Sequence, residues 1–115
     1  MPMPDLLDEG LLLFNEGRFY EAHEVWEDLW RITTDLPLKT CYQGLIQAAV
    51  GLHHWNRQNR LGARSQLQKS IRNLQNGAPI ATGMDIPAFI RQLEAVLERM
   101  PNEAVTPCPR IARLK

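Results

Sequence analysis

The side chains best able to do chemistry are concentrated in one decapeptide, Glu21-Ala22-His23-Glu24-Val25-Trp26-Glu27-Asp28-Leu29-Trp30. His23 and Glu27 are four apart, so a helix places them on one face, beside a stripe that carries Trp26 and Trp30. The run from His23 to Glu27 is one residue away from the H-E-x-x-H zinc signature, with Glu27 where the second histidine would stand. An imidazole and a carboxylate one turn apart can chelate a divalent metal. His54 is the candidate third ligand, with Glu24 or Gln47 behind it as base or outer-sphere partner. A metal-binding domain or metal-dependent hydrolase using His23, Glu27 and His54 is one reading. The other is structural: His23 and Glu27 pair with each other or with a neighbouring helix, as buried polar groups in native proteins do. The structural reading is favoured, because a five-residue near-match on a charged helix is common. The Glu-x-x-His pattern of di-iron bundles is also absent from both candidate helices.

A second polar set lies further on. Gln43, Gln47 and His54 are separated by four and seven, so they share a line on a helix. Together the two sets define a candidate polar cluster of His23, Glu24, Glu27, Gln47 and His54. His53 shares a line with Tyr42, Ile46 and Ala49 and reads as a packed histidine. Gln66 and Asn73 add polar atoms, but nothing in the pattern turns them inward. Trp26, Trp30 and Trp55 have helical spacing and read as core more than as a ligand pocket. Arg57, Arg60 and Arg64 form a candidate anion-binding site. Gly-rich phosphate loops and Ser/His/Asp or Cys/His motifs are missing, so whether the chain is an enzyme stays open.

The elements that must position these residues are helical, because apolar residues recur at three and four and no alternating run appears. Helix one is expected over Asp5 to Glu16, with Pro4 in its first turn, acids at its positive end and Gly17 as a left-handed cap. Helix two is expected over Arg18 to Thr33, with Phe19, Ala22, Val25, Trp26, Leu29 and Trp30 as its apolar stripe. Helix three runs from Pro37 to Arg57 and carries no formal charge between Thr40 and Asn56, which marks the centre of a bundle. Its polar residues argue against a membrane span. Gly44 and Gly51, seven apart, are expected to admit a neighbouring helix. Helix four runs from Arg60 to Asn76, capped by Asn59, with Leu61, Leu67, Ile71 and Leu74 facing inward. A loop over 77–84 precedes helix five, from Asp85 to Met100, with Ile86, Phe89, Ile90, Leu93, Val96 and Leu97 inward. Residues 101–115 contain three prolines and read as an extended tail on a single helical domain of residues 1–100.

Phe14-Asn15 precedes Ala22 at the distance at which Trp55-Asn56 precedes Ala63, an offset of 41 residues. The expected fold is therefore all-α: two packed αα-hairpins of tetratricopeptide-like kind, a C-terminal helix as a lid, and the tail.

At 115 residues the chain suits one domain that needs neither metal nor disulfide to fold. Thirteen basic residues balance thirteen acidic ones, which argues against nucleic-acid binding driven by bulk charge. The balance hides a split. Residues 1–36 hold nine acids and two bases, and residues 37–115 hold eleven bases and four acids. The split reads either as two halves that neutralise each other or as a surface for a charged partner. Cys41 and Cys108 sit in dissimilar settings, so reduced thiols and a cytoplasmic location are expected. No signal peptide is evident at the N-terminus. A protein partner is expected, with a second copy of the chain as one form of it, and no membrane.

The segment FNEGRFYEAHEVWEDLWR, followed by QGLIQAAVGLHHWNRQNRLGA, resembles the domain-of-unknown-function family numbered 309 of bacteria, archaea and plastids. The family pattern falls on Phe14, Gly17, Phe19, Glu21, Ala22, His23, Glu24, Glu27 and Trp30. It continues on Gly44, Leu45, Ile46, Gln47, Ala49, His54, Asn59, Gly62 and Ala63. The likeness covers roughly residues 11–75. Gln58 stands where the family pattern has glycine, so Asn59 is expected to take any left-handed conformation in that turn. The resemblance implies packed helices and places His23, Glu24, Glu27, Gln47 and His54 within the shared motif. It implies no activity. The overall expectation is a small helical scaffold or protein-interaction domain, with metal binding as the alternative.

Overall fold

The computed structural model describes residues 5–77, 82–100 and 108–114. Among them are five helices, α1 (Leu6–Asn15), α2 (Phe19–Ile32), α3 (Leu36–Asn56), α4 (Arg60–Asn76) and α5 (Ile86–Arg99), and no β-strand. An isolated bridge joins Met84 to Arg113. The all-helical expectation holds, and the bounds fall within a residue or two of those read from periodicity. Pro4, the 78–81 part of the expected loop and the 101–107 part of the expected tail lie outside the described residues.

Side-chain caps set four of the five starts. The Asp5 carboxylate accepts from the backbone N–H of Leu7 at 3.0 Å and Asp8 at 3.2 Å. Asp35 accepts from Leu38 at 3.1 Å, Asn59 from Gly62 at 3.0 Å and Asp85 from Ala88 at 3.2 Å. Each bond satisfies an N–H that the helix itself leaves without a partner. Arg18, at the start of α2, makes no such bond.

The ends of α1 and α3 are built alike. Arg18 N–H reaches Leu13 O at 2.9 Å and Gly17 N–H reaches Phe14 O at 2.9 Å. After α3, Asn59 N–H reaches His54 O at 2.9 Å and Gln58 N–H reaches Trp55 O at 2.9 Å. Both are Schellman motifs, and all four donor–acceptor pairs obey the 41-residue offset. The left-handed residues are Gly17 (φ 82°) and Gln58 (φ 64°). The expectation for Asn59 is corrected here: its φ is −92°. Asn59 is committed to capping α4, which needs an ordinary backbone, so the left-handed turn falls on its neighbour.

α3 packs most extensively on α4 and then on α2; α1 packs on α2, and α5 on α4. A Cβ built on Gly44 would lie 2.8 Å from the Leu74 side chain, and one on Gly51 would lie 2.8 Å from that of Leu67. Glycines seven apart thus meet leucines seven apart in reverse order, which is antiparallel packing at close approach. Ser70 Oγ, fully buried, donates to Gly44 O at 2.6 Å across the same contact. Leu61 departs from its expected inward position and is 84% exposed. It sits in the first turn of α4, off the buried line of Ala63, Leu67, Ser70 and Leu74.

Gly10 does for α1 what Gly44 does for α3. A Cβ there would lie 2.1 Å from the Trp26 indole, which is wholly buried and donates to Leu7 O at 3.2 Å. Phe14 then bridges to α5 through an edge contact with Phe89, with ring centroids 5.5 Å apart. Residues 108–114 run extended along α1 and α5. Ile111 N–H donates to Asn15 Oδ1 at 2.9 Å, and Asn15 Nδ2 donates to Ile111 O at 3.0 Å. Gln92 holds Arg110 in the same two-point way, at 2.9 and 2.8 Å. Ile111 is buried, so part of the apolar cover of α5 comes from this chain's own C-terminal segment.

Candidate functional site

His23 projects from the second turn of α2. Its Nε2 lies 3.4 Å from Glu27 Oε1, the pairing that four-residue spacing dictates, and its Nδ1 lies 3.3 Å from Tyr20 O. Glu27 also meets Arg31 Nη2 at 3.6 Å. The Glu27 side chain is 40% exposed, so the His23 pair belongs with surface pairs that contribute under about 1 kcal/mol. Glu24 points to solvent.

α3 brings the opposing wall. Val50, His53 and His54 face Tyr20 and His23 across a cavity of about 280 Å³. The Tyr20 ring lies 5.5 Å from the His23 ring and 5.2 Å from that of His53. His54 is oriented by α4. The Asn59 carbonyl oxygen is engaged by Gly62 N–H, which turns its amide nitrogen toward His54 Nδ1 at 3.4 Å. A ring that accepts at Nδ1 carries its hydrogen on Nε2 when neutral, and donates there. The pKa of His53 is lowered, first by burial and then by the charges of Arg57, His54 and His23.

The residues grouped by sequence as one polar cluster are divided by this geometry. His23 and Glu27 pair on α2, and His54 borders the same cavity as His23. Gln47 turns the other way and accepts from Asn73 of α4 at 2.7 Å. Asn73, whose direction the sequence pattern left open, faces α3 because it falls beside Ser70 and Leu74 on the α4 face that meets α3. Among the described residues no group of three or more His, Cys, Asp or Glu stands in a metal-holding arrangement. Tyr20, Val50 and His53 were missed as site residues. The i, i+3 pair of Tyr20 and His23 was the available signal. His53 shares a line with core residues, but that line leaves the core near the end of α3. Of the tryptophans, Trp26 is core, whereas Trp30 borders a shallow groove with Leu36, Lys39, Thr40, Gln43 and Asn73. Lys39 Nζ stands 4.1 Å from the Trp30 ring centre.

Arg57, Arg60 and Arg64 are all exposed around the α3–α4 turn. Arg60 lies over the Trp55 ring at 5.6 Å. The same surface continues along α4 through Lys69 and Arg72, and α4 contains no acidic residue. None of these five bases joins an ion pair among the described residues. The acidic first third of the chain and its basic remainder meet in one described ion pair, Arg113 with Asp8.

The model of a domain of unknown function, DUF309, matches residues 7–66. An uncharacterized protein of Aquifex aeolicus (strain VF5) is 31% identical over 93 residues, which is 81% of this chain and 28% of that protein. The uncharacterized protein YpuF of Bacillus subtilis (strain 168) is 33% identical over 100 residues, 84% of this chain and 58% of that protein. The chain thus spans between about a quarter and three fifths of these relatives' lengths. The matched segment runs through α1, α2 and α3 into the first turns of α4, and so includes Tyr20, His23, Val50, His53 and His54. The chain belongs to the DUF309 family.

Proposed function

We propose that this domain is a protein-interaction module that docks an acidic protein surface on its basic α4 flank. The observation that carries the reading is the charge on α4: four basic residues, no acidic one, all exposed, and none in an ion pair among the described residues. Charges in no ion pair among the described residues can steer and register a complementary partner. Leu61, exposed between Arg60 and Arg64, adds an apolar anchor of the kind that gives a charged interface its affinity. The longer relatives support the same reading, since the matched region there is accompanied by further chain.

The test is affinity capture from an extract of the native host on immobilised wild type and on the triple variant R60E/R64E/R72E. The expected result is an acidic protein retained at low salt, released as salt screens the contact toward about 0.3 M, and absent from the variant column. The variant should melt within a few degrees of the wild type, because these side chains are exposed and the Arg60–Trp55 contact contributes about 1 kcal/mol at most. Capture of the same proteins on both columns, or of nucleic acid in place of an acidic protein, rejects the reading.

A further inference from the structure

The cavity between α2 and the end of α3 plays no part in docking on α4, and its chemistry differs. Its volume of about 280 Å³ lies just below the range for drug-sized ligands and far above what one water fills. The Tyr20 ring meets that of His53 at 5.2 Å and that of His23 at 5.5 Å, so the three rings form one aromatic wall, open to solvent at the half-exposed Tyr20, with Val50 as an aliphatic neighbour.

Two observations give the polarity of a fitting ligand. His54 receives a hydrogen bond at Nδ1 from an amide whose orientation is locked by the α4 cap, so its other nitrogen is left as a donor. On α3, Arg57 follows His53 by one turn and acts on it as a cation; on α2, Glu24 points to solvent and the Glu27 carboxylate is held by His23 and Arg31. A donor on the cavity wall, with the Arg57 cation one helical turn beyond His53 and in no ion pair among the described residues, suits a planar molecule with a single negative end.

We propose that this cavity is a binding site for a small planar carboxylic acid, its ring against Tyr20, His53 and Val50 and its carboxylate accepting from the His54 imidazole. The ring supplies buried apolar area, and the carboxylate replaces its lost water with a charge-assisted hydrogen bond.

The test uses the intact chain with chelator present, benzoate as the probe, and the imidazole proton resonances as the readout. Benzoate should shift His53 and His54 saturably with an affinity of about 1 mM, a modest value in keeping with so small a ligand. Acetate, which has the charge without the ring, and benzyl alcohol, which has the ring without the charge, should each bind about tenfold more weakly, the weight of one lost contact. Val50→Trp fills the cavity and should abolish the shifts. His54→Phe keeps the shape, removes the donor, and should weaken benzoate by about tenfold at an unchanged melting temperature, which secures the test if the tryptophan variant does not fold. The proposal is overturned by shifts that fail to saturate, by benzyl alcohol binding as tightly as benzoate, by inorganic phosphate displacing it, or by benzoate binding that survives His54→Phe undiminished.

Discussion

Gln58 carries a left-handed backbone that its counterpart 41 residues earlier assigns to glycine. A Cβ in that region costs about 1–2 kcal/mol against the following carbonyl, partly offset by the extra freedom glycine has when unfolded. Gln58→Gly should therefore stabilise the domain by about 0.5–1 kcal/mol, read from the urea midpoint. Gly17→Ala should cost about 1 kcal/mol by the same argument, and for backbone reasons alone, since a Cβ there meets nothing within 4 Å. A second residue-scale expectation concerns pH. Burial, Arg57, His54 and His23 lower the pKa of His53, so the folded chain takes up its proton less readily than the unfolded chain, whose histidine titrates near 6.5. Stability should accordingly fall as pH drops through that value. His53→Gln should show a smaller loss between about pH 7.5 and 5.5 than the wild type, by urea denaturation at each pH.

The helices and their caps were legible because their causes are local. Asn59 before Arg60 and Gly17 after α1 announce themselves within one turn, and the uncharged stretch of α3 announces its central place. Gly44 and Gly51 could be read as a close-approach face because they repeat at seven. Gly10 could not, since its reason lies sixteen residues ahead in the Trp26 indole. These contacts make a graded prediction. Gly44→Ala pushes a Cβ to within 3.0 Å of the Leu74 backbone nitrogen, so overpacking of about 1–3 kcal/mol should outweigh the gain of about 1 kcal/mol in helix propensity. Gly10→Ala should cost more, because the obstacle is a buried ring with no room to swing away. Thermal melts of the two variants should rank in that order. The cavity was only half legible. Spacing placed His23 and His54 on facing elements, but which line of α3 opens toward α2 depends on how the helices cross, and periodicity is silent on that.

At the scale of the molecule, the first four helices are joined by short turns, and each packs on its neighbour in the chain. The C-terminal segment is the exception. Nothing local in the sequence announced that side-chain amides at Asn15 and Gln92 would grip residues 108–114, one of them from 96 residues away. Ile111→Ala should cost about 2–4 kcal/mol, the range for emptying a buried aliphatic site.

That grip also orders events in time. Contacts between successive helices close small loops and form early, whereas one that joins residue 15 to residue 111 must await almost the whole chain. The segment should act as a latch, fastened after the folding barrier is crossed and released before it is recrossed. Stopped-flow measurements on Ile111→Ala should then find refolding as fast as in the wild type, with the entire loss of stability expressed as faster unfolding.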